Sequence, residues 1–314
     1  MKAIILKEAG TADNLIFTEL PRPVPGDNEV LLAVKAIGIN PVDIKTRSGM
    51  SVYNDLKSKN PFIILGWDVS GVVMEVGKNV TKFKVGDEVF GMVNFPGHGR
   101  AYAEFVAARE NDISKKPSNI SHQEAAAASL AALTAWQAIV TNGKVKIGQR
   151  VVIQAAAGGV GHYAVQIARY LGAYVIGTSS AANEKFVMGL GAHKHIDYTK
   201  HRLSELVDDA DFVLDPIGGG NIDISIDAAK KGGTVIMLPS QHKDEIANKA
   251  KTKGVNGLYF SVRPNEENLQ QIASLLKAGT LKSHVSQTFE FLQMKEAHKQ
   301  IETGRTVGKI VVTV

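Results

Sequence analysis

The chain has 314 residues, too many for one ordinary core and enough for about two domains. Apolar residues make up 44% and charged residues 21%, which excludes a disordered or collagen-like chain, and the absence of cysteine excludes disulfides, thiolate nucleophiles and cysteine-ligated metals. The net charge of +5 comes from scattered Lys and Arg, so it reads as a solvated surface rather than a nucleic-acid patch, although a positive field also suits an anionic cofactor.

The opening run Met1-Lys2-Ala3-Ile4-Ile5-Leu6 is too short for a signal peptide and reads as a first strand. Residues 1–122 are strand-rich. Apolar or alternating runs at 3–6, 29–38, 69–76 and 88–93 are separated by turn-forming stretches at 21–27, 77–79 and 84–87, which predicts a largely antiparallel barrel. Asn40-Pro41-Val42-Asp43 opens a short helix, with Asn40 as cap and Pro41 in the first turn. Asp43 and Arg47 are four apart on that helix, a spacing that predicts a structural ion pair, with a catalytic role for Asp43 as the alternative. Residues 125–142 carry no charge, but their alanines and Ser129, Thr134, Gln137 and Thr141 transfer poorly into lipid. A buried helix is expected there, and a cytoplasmic protein.

Beyond this helix, short β runs alternate with amphipathic segments. Strands are predicted at 150–154, 174–177, 194–196, 212–214, 234–237 and 258–262, and helices at 160–171 and 183–190. Such alternation specifies an α/β fold with a doubly wound parallel sheet. The last thirty residues read strand, helix, strand and could complete the first domain. The division expected is therefore 1–122 completed by 285–314, and 123–284.

The strongest motif is Val151-Val152-Ile153-Gln154-Ala155-Ala156-Ala157-Gly158-Gly159-Val160-Gly161-His162. A buried strand runs into a small-residue turn and then a helix. Ala156, Gly158 and Gly161 fill the three small positions, and with Gly159 and Val160 they let a pyrophosphate approach the helix-start N–H groups. The next strand ends in Ser179-Ser180, followed by Lys185, with no carboxylate to hold a ribose 2′-hydroxyl. Hydroxyls and a lysine suit a 2′-phosphate, so NADPH is the cofactor expected; the alternative is a polar turn with a solvated lysine.

With these stretches the chain resembles the zinc-independent quinone oxidoreductase (zeta-crystallin-like) branch of the medium-chain dehydrogenase/reductase superfamily. The resemblance runs through Gly38-Ile39-Asn40-Pro41-Val42-Asp43, Gly66-Trp67-Asp68-Val69-Ser70-Gly71, Val85-Gly86-Asp87-Glu88-Val89-Phe90-Gly91, Leu133-Thr134-Ala135-Trp136, the glycine-rich turn, Leu190-Gly191-Ala192 with Ile196-Asp197-Tyr198, and Leu214-Asp215-Pro216-Ile217-Gly218-Gly219. It implies a GroES-like, mainly β substrate domain, a Rossmann cofactor domain and an active-site cleft between them. Asn40 falls where zinc-dependent relatives carry a cysteine ligand and Trp67 where they carry a histidine, so no metal is expected; His98, His122 and His162 lack ligand spacing. The resemblance further places Asn40 and Thr134 near the nicotinamide, and Ser180, Lys185 and Tyr198 near the 2′-phosphate. It places Leu238, the turn after Met237-Leu238-Pro239-Ser240, Phe260 and Val262 along the nicotinamide edge, and Tyr53 at the substrate mouth, where it could donate to a carbonyl oxygen.

Hydride transfer needs the nicotinamide held against an electrophilic carbon, and the cofactor carries the chemistry. A simple ketone becomes an alkoxide that a metal or strong acid should stabilise. A quinone or enone spreads the charge and needs less help, which favours those acceptors. The alternatives are a metal-free alcohol or aldehyde reductase, and a weakly catalytic NADPH-binding sensor or nucleic-acid-binding module. Residues 255–262 read as the final, edge strand of the sheet, with Leu258, Phe260 and Val262 on one side and Tyr259 and Ser261 on the other. No Pro or Lys blocks pairing there, so a homodimer through this edge is expected.

Overall fold

A computed structural model describes residues 1–239 and 243–314. It divides into two compact units, Met1–Leu133 with Arg263–Val314, and Thr134–Val262. In chain order the first unit opens with β1 (Lys2–Leu6), β2 (Leu15–Glu19) and β3 (Glu29–Ile39), then α1 (Pro41–Arg47) and α2 (Tyr53–Lys57). It continues with β4 (Asp68–Val76), β5 (Glu88–Met92), β6 (Phe105–Arg109), β7 (Ile113–Lys115) and α3 (His122–Trp136). The second unit holds β8 (Arg150–Ile153), α4 (Gly161–Tyr170), β9 (Tyr174–Ser179), α5 (Glu184–Gly189), β10 (Lys194–Asp197), α6 (Leu203–Leu206), β11 (Ala210–Asp215), α7 (Ile222–Ala228), β12 (Ala229–Met237), α8 (Lys243–Thr252) and β13 (Asn256–Tyr259). The chain then returns to the first unit with α9 (Glu266–Lys277), β14 (Val285–Glu290), α10 (Met294–Glu302) and β15 (Lys309–Thr313).

In the first unit a seven-stranded sheet runs β14-β15-β3-β4-β5-β7, with β6 also on β3, and β1 pairs with β2 alone. All its pairings are antiparallel except β14 with β15. The C-terminal strand β15 pairs with β3, so the two ends of the chain's sequence build one sheet. The return segment starts earlier than the sequence reading placed it. Helix α9 packs on β7, and its buried face of Leu269, Ile272, Leu275 and Leu276 belongs to this unit. Residues 123–133 belong here as well, with Ala126 and Ala127 packed against Ala36 and Val311.

The second unit is an all-parallel six-stranded sheet in the order β10-β9-β8-β11-β12-β13. The order reverses between β8 and β11, the switch point at which a crevice opens beyond the carboxyl ends of the strands. Val152, Ile176, Val213 and Val235, one from each of four neighbouring strands, are fully buried and form the floor on which α7 and α8 pack. Buried-on-both-sides strands read as continuous apolar runs, which is why they stand out in the sequence.

The final strand differs from its expected extent. It ends at Tyr259, because its partner β12 ends at Met237 and the last ladder bond is Phe260 N–H to the Met237 carbonyl (2.9 Å). Leu258 is 45% exposed, whereas Tyr259 packs toward the core, so the two lie on opposite sides of the strand. The uncharged stretch is a buried helix continued by a π-helical turn over Gln137–Asn142. Among the described residues no helix is long and apolar enough to cross a membrane.

Candidate functional site

In the second unit the turn after β8 has the shape its residues require. Ala155 takes a positive φ of 46°, and Ala156 N–H donates to the Thr178 carbonyl (2.8 Å), tying the turn to β9. A Cβ on Gly161 would lie 2.1 Å from the Ala155 carbonyl oxygen, so only glycine lets α4 start this close to the strand. A Cβ on Gly177 would meet Ala156 Cβ at 2.9 Å, so the neighbouring strand is equally tight. Gly159 and Val160 stand at the helix entry, where the first N–H groups have no intrahelical acceptor and the dipole favours negative charge. The cradle is one that side chains would fill, and it fits a pyrophosphate.

The parallel sheet brings the other expected nucleotide residues to the same edge. Ser179 ends β9 and is paired in register with Asp197, which ends β10; Tyr198 N–H donates to the Ser179 carbonyl (3.3 Å). Ser180 caps the following turn, with its carbonyl accepting from Asn183 N–H (3.0 Å) and its hydroxyl oxygen from Asn183 Nδ2 (3.4 Å). Lys185 lies exposed on α5 without an ion pair among the described residues, Glu184 opens that helix, and Tyr198 is 63% exposed. Asp197 is an acid at the end of β10, but its Oδ1 is spent on Thr199 N–H (3.0 Å) and Thr199 Oγ1 (2.8 Å), bonds that hold its carboxyl below the usual range.

Beyond the other strands, Leu238 N–H donates to the Asp215 carbonyl (3.0 Å), and Phe260 and Val262 follow β13. Thr134 is buried in the last turn of α3. The expected turn after Ser240 lies outside the described residues. Sequence reasoning missed a buried network between β8 and β11. Gln154 Nε2 donates to Ser225 Oγ (2.5 Å), Asn221 Nδ2 to Gln154 Oε1 (2.6 Å) and Ser225 Oγ to Asp215 Oδ2 (2.8 Å), while Asp215 Oδ1 accepts from the N–H groups of Ile217 (2.8 Å) and Gly218 (2.9 Å). These bonds fix the loop after β11, and the Asp215-Pro216-Ile217-Gly218 motif was the only signal for them.

In the first unit, Asn40 and Asp43 are buried, at 1% and 0% exposure. Asn40 Nδ2 donates to Asp68 Oδ2 (2.8 Å), and its Oδ1 accepts from Lys309 Nζ. Lys309 also donates to the Ile39 carbonyl (2.8 Å) and stands 3.9 Å from Asp68 Oδ2, while Leu130 N–H donates to Asp68 Oδ1 (2.8 Å). Asp43 Oδ2 reaches back to Asn40 N–H (2.7 Å) as half of a capping box. Burial pushes Asp43 up to about 8 and Asp68 up to about 7, and it pushes Lys309 down. The expected Asp43–Arg47 pair does not form. Arg47 instead pairs with Glu302 of α10 and donates to the Gly10 carbonyl (3.2 Å), because the helix turns Asp43 inward toward its own N-terminus.

Tyr53 opens α2, and its hydroxyl oxygen accepts from Ala9 N–H (3.0 Å), leaving its own proton to donate. Asn60, Pro61, Asn94, His98 and Arg100 help line a surface cavity of about 550 Å³ in the first unit. None of Asn40, Asp43 or Tyr53 lines it. The three histidines are packing residues: His98 Nε2 accepts from Ile64 N–H (2.8 Å), His122 Nδ1 lies 2.7 Å from Ser70 Oγ, and His162 is fully buried against Tyr163. Among the described residues, no three His, Cys, Asp or Glu side chains are placed to hold a metal.

Two family models match, the alcohol dehydrogenase GroES-like domain over residues 26–118 and the zinc-binding dehydrogenase over residues 190–312. The chain is 33% identical to the human mitochondrial NAD(P)H oxidoreductase RTN4IP1, covering all of this chain and 89% of that protein. It is 33% identical to 2-methylene-furan-3-one reductase of Solanum lycopersicum, covering 99% and 79%. The structure of the quinone oxidoreductase from Coxiella burnetii superposes with a TM-score of 0.95 at 35% identity, covering 100% of this chain and 99% of that one. With a GroES-like unit, a Rossmann unit built for a nicotinamide nucleotide and these relatives, the chain is an oxidoreductase that belongs to the quinone oxidoreductase branch of the medium-chain dehydrogenase/reductase superfamily.

Proposed function

We propose that the protein is an NADPH-dependent reductase that delivers hydride to a quinone or α,β-unsaturated carbonyl acceptor without zinc. The observation that carries the cofactor choice is the end of β9, where Ser180 and Tyr198 follow adjacent paired strands and Lys185, on the next helix, is exposed and has no ion pair among the described residues. A 2′-phosphate takes hydrogen bonds from hydroxyls and a charge from lysine, whereas a ribose 2′-hydroxyl needs an acceptor. The bound nicotinamide supplies the hydride. The turn from Ala156 to Gly161 holds the pyrophosphate, and the segments at Thr134, Leu238, Phe260 and Val262 orient the ring.

The zinc-free reading rests on chemistry at two positions. Asn40 Oδ1 already faces the ammonium of Lys309, which would repel a second cation, and the Trp67 indole nitrogen is a donor only, bonded to the Gly97 carbonyl (2.8 Å), so neither position supplies a good metal ligand. An activated acceptor suits such a site, since conjugation spreads the charge that zinc would otherwise hold. The named substrate of the tomato relative, an exocyclic alkene conjugated to a ketone, is of this type, and the Coxiella relative is named for quinones. Tyr53, with its hydroxyl proton free, is the side chain assigned to the acceptor's carbonyl oxygen. A homodimer through the β13 edge and a cytoplasmic location belong to the same proposal.

The test is NADPH and NADH oxidation against quinones, enones, aldehydes and ketones, before and after exhaustive chelation. Turnover of quinones or enones with NADPH that survives chelation is the result expected. Stoichiometric zinc with activity lost on chelation and restored by zinc would overturn the metal-free reading, and turnover confined to simple aldehydes or ketones would overturn the choice of acceptor.

A further inference from the structure

His195, on β10, carries no role so far. It is paired in register with Gly177, and its Nε2 lies 2.8 Å from Ser179 Oγ at the end of β9. Ser179 Oγ also stands 3.1 Å from the Ser180 carbonyl. In the tautomer that carries the proton on Nε2, His195 donates to Ser179 Oγ and the serine's one proton goes to that carbonyl. The contacts then line up as a relay, His195 Nε2–H to Ser179 Oγ–H to the Ser180 carbonyl.

The same Ser180 carbonyl accepts from Asn183 N–H, and Ser180 Oγ accepts from Asn183 Nδ2, so the residue is held from both sides while its own hydroxyl proton stays free to donate. Ser179 is 3% exposed, so its hydroxyl has no water to replace a lost donor. The acid in register with Ser179, Asp197, is engaged by Thr199 and lies in the field of His195 and Lys200. The relay is invisible in the sequence, because Ser179 and His195 are 16 residues apart and a lone histidine in a strand has no motif.

We propose that His195 is a specificity-determining positioning residue for the cofactor's 2′-phosphate, acting through Ser179 to aim the Ser180 hydroxyl. This rests on the NADPH reading above and adds to it a residue that need not touch the nucleotide. Loss of one hydrogen bond in a buried relay corresponds to roughly a three- to tenfold change in affinity. NADH, which lacks the phosphate, is indifferent to where Ser180 points.

The experiment is calorimetric measurement of NADPH and NADH dissociation constants for the wild type, His195→Leu, His195→Gln, Ser179→Ala and the Ser179→Ala/His195→Leu double variant. His195→Leu should weaken NADPH about three- to tenfold and leave NADH within about twofold, while His195→Gln, which keeps a side-chain N–H, recovers most of the loss. The double variant should be no worse than Ser179→Ala, because both changes break one relay. Equal wild-type affinities for the two cofactors would overturn the NADPH reading itself. A wild type that prefers NADPH, with a His195→Leu loss shared equally by both cofactors, absent, or additive with Ser179→Ala, would overturn the relay alone. Should His195→Leu not fold, His195→Gln and Ser179→Ala decide the matter: a Ser179→Ala variant with unchanged NADPH preference overturns it.

Discussion

The polar groups behind α1 and those beyond β9 differ in one respect that decides what each can do. At Asn40 itself the donors face partners in the chain: Lys309 is shared by Asn40, Asp68 and the Ile39 carbonyl, and Asn40 Nδ2 is taken by Asp68. Beyond β9 the backbone is held tightly, but Lys185 and the Ser180 hydroxyl proton are left over. A buried cluster whose lysine is shared among its own acceptors holds shape, and an exposed one with donors left over suits an anion. Both look alike in sequence, as short runs of polar residues at the end of a strand.

Breaking the closed cluster should have the largest effect. Lys309→Met leaves the Asn40 and Ile39 oxygens without a donor and removes the cation beside Asp68, a change expected to cost about 3–5 kcal/mol of stability in denaturant unfolding. Above about pH 8, where Asp68 is ionised, adding Asp68→Asn should recover part of that loss, because the uncompensated carboxylate goes with it. A Lys309→Met variant as stable as the wild type would show that the cluster is not what holds β15 to β3.

The pH dependence of stability follows from the same burial. Asp43 is raised from 3.8 to about 8, and Asp68 to about 7. Between about pH 4 and pH 8 the folded chain keeps a proton that the unfolded chain has released. Stability from these groups is therefore fully present below pH 4 and lost as pH rises through the folded values. Asp43→Asn, which can still accept from Asn40 N–H, should flatten that fall by roughly 2–4 kcal/mol across the window in unfolding titrations. An unchanged slope would show Asp43 to be ionised in the folded chain.

The open cluster predicts a smaller effect, and on binding instead of folding. Lys185→Ala should weaken NADPH by about 1–3 kcal/mol, leave NADH nearly unchanged and leave the melting temperature untouched, since the side chain is exposed and unpaired. Equal affinities of the wild type for both cofactors would remove the distinction drawn between the two clusters.

What could be read beforehand divides along local and long-range lines. The turn from Ala156 to Gly161 was legible because a close approach of helix and strand admits only small side chains, and the four inner parallel strands because burial on both faces leaves apolar runs. Asn40 was legible as a helix cap, yet its engagement was not, since Lys309 lies 269 residues further on. The Asp43–Arg47 spacing misled for the same reason: Glu302, 255 residues from Arg47, offered a better partner than the near one. The start of the return segment at Arg263 was hidden because the amphipathic pattern of α9 states that it packs, but not on which sheet.

A modest effect on the fold, and a decisive one for assembly, concerns the edge of the parallel sheet. β13 pairs only with β12, so its outer side is open among the described residues. Because Phe260 N–H turns inward to Met237, the alternation of a strand turns Tyr259 N–H outward. An exposed edge of this kind is a template for pairing unless charge or proline blocks it, and 256–259 reads Asn-Gly-Leu-Tyr with neither. A second copy related by a two-fold axis could place its own edge there and leave Leu258, 45% exposed in this chain, covered. Tyr259→Pro removes the outward donor and no ladder bond to β12, but it also removes a ring packed on the core, so beside a Tyr259→Ala control it should cost about 1–2 kcal/mol of stability and, unlike alanine, convert a dimer to a monomer in light scattering. A monomeric wild type would refute the dimer, and a folded proline variant that still dimerises would move the interface to another surface.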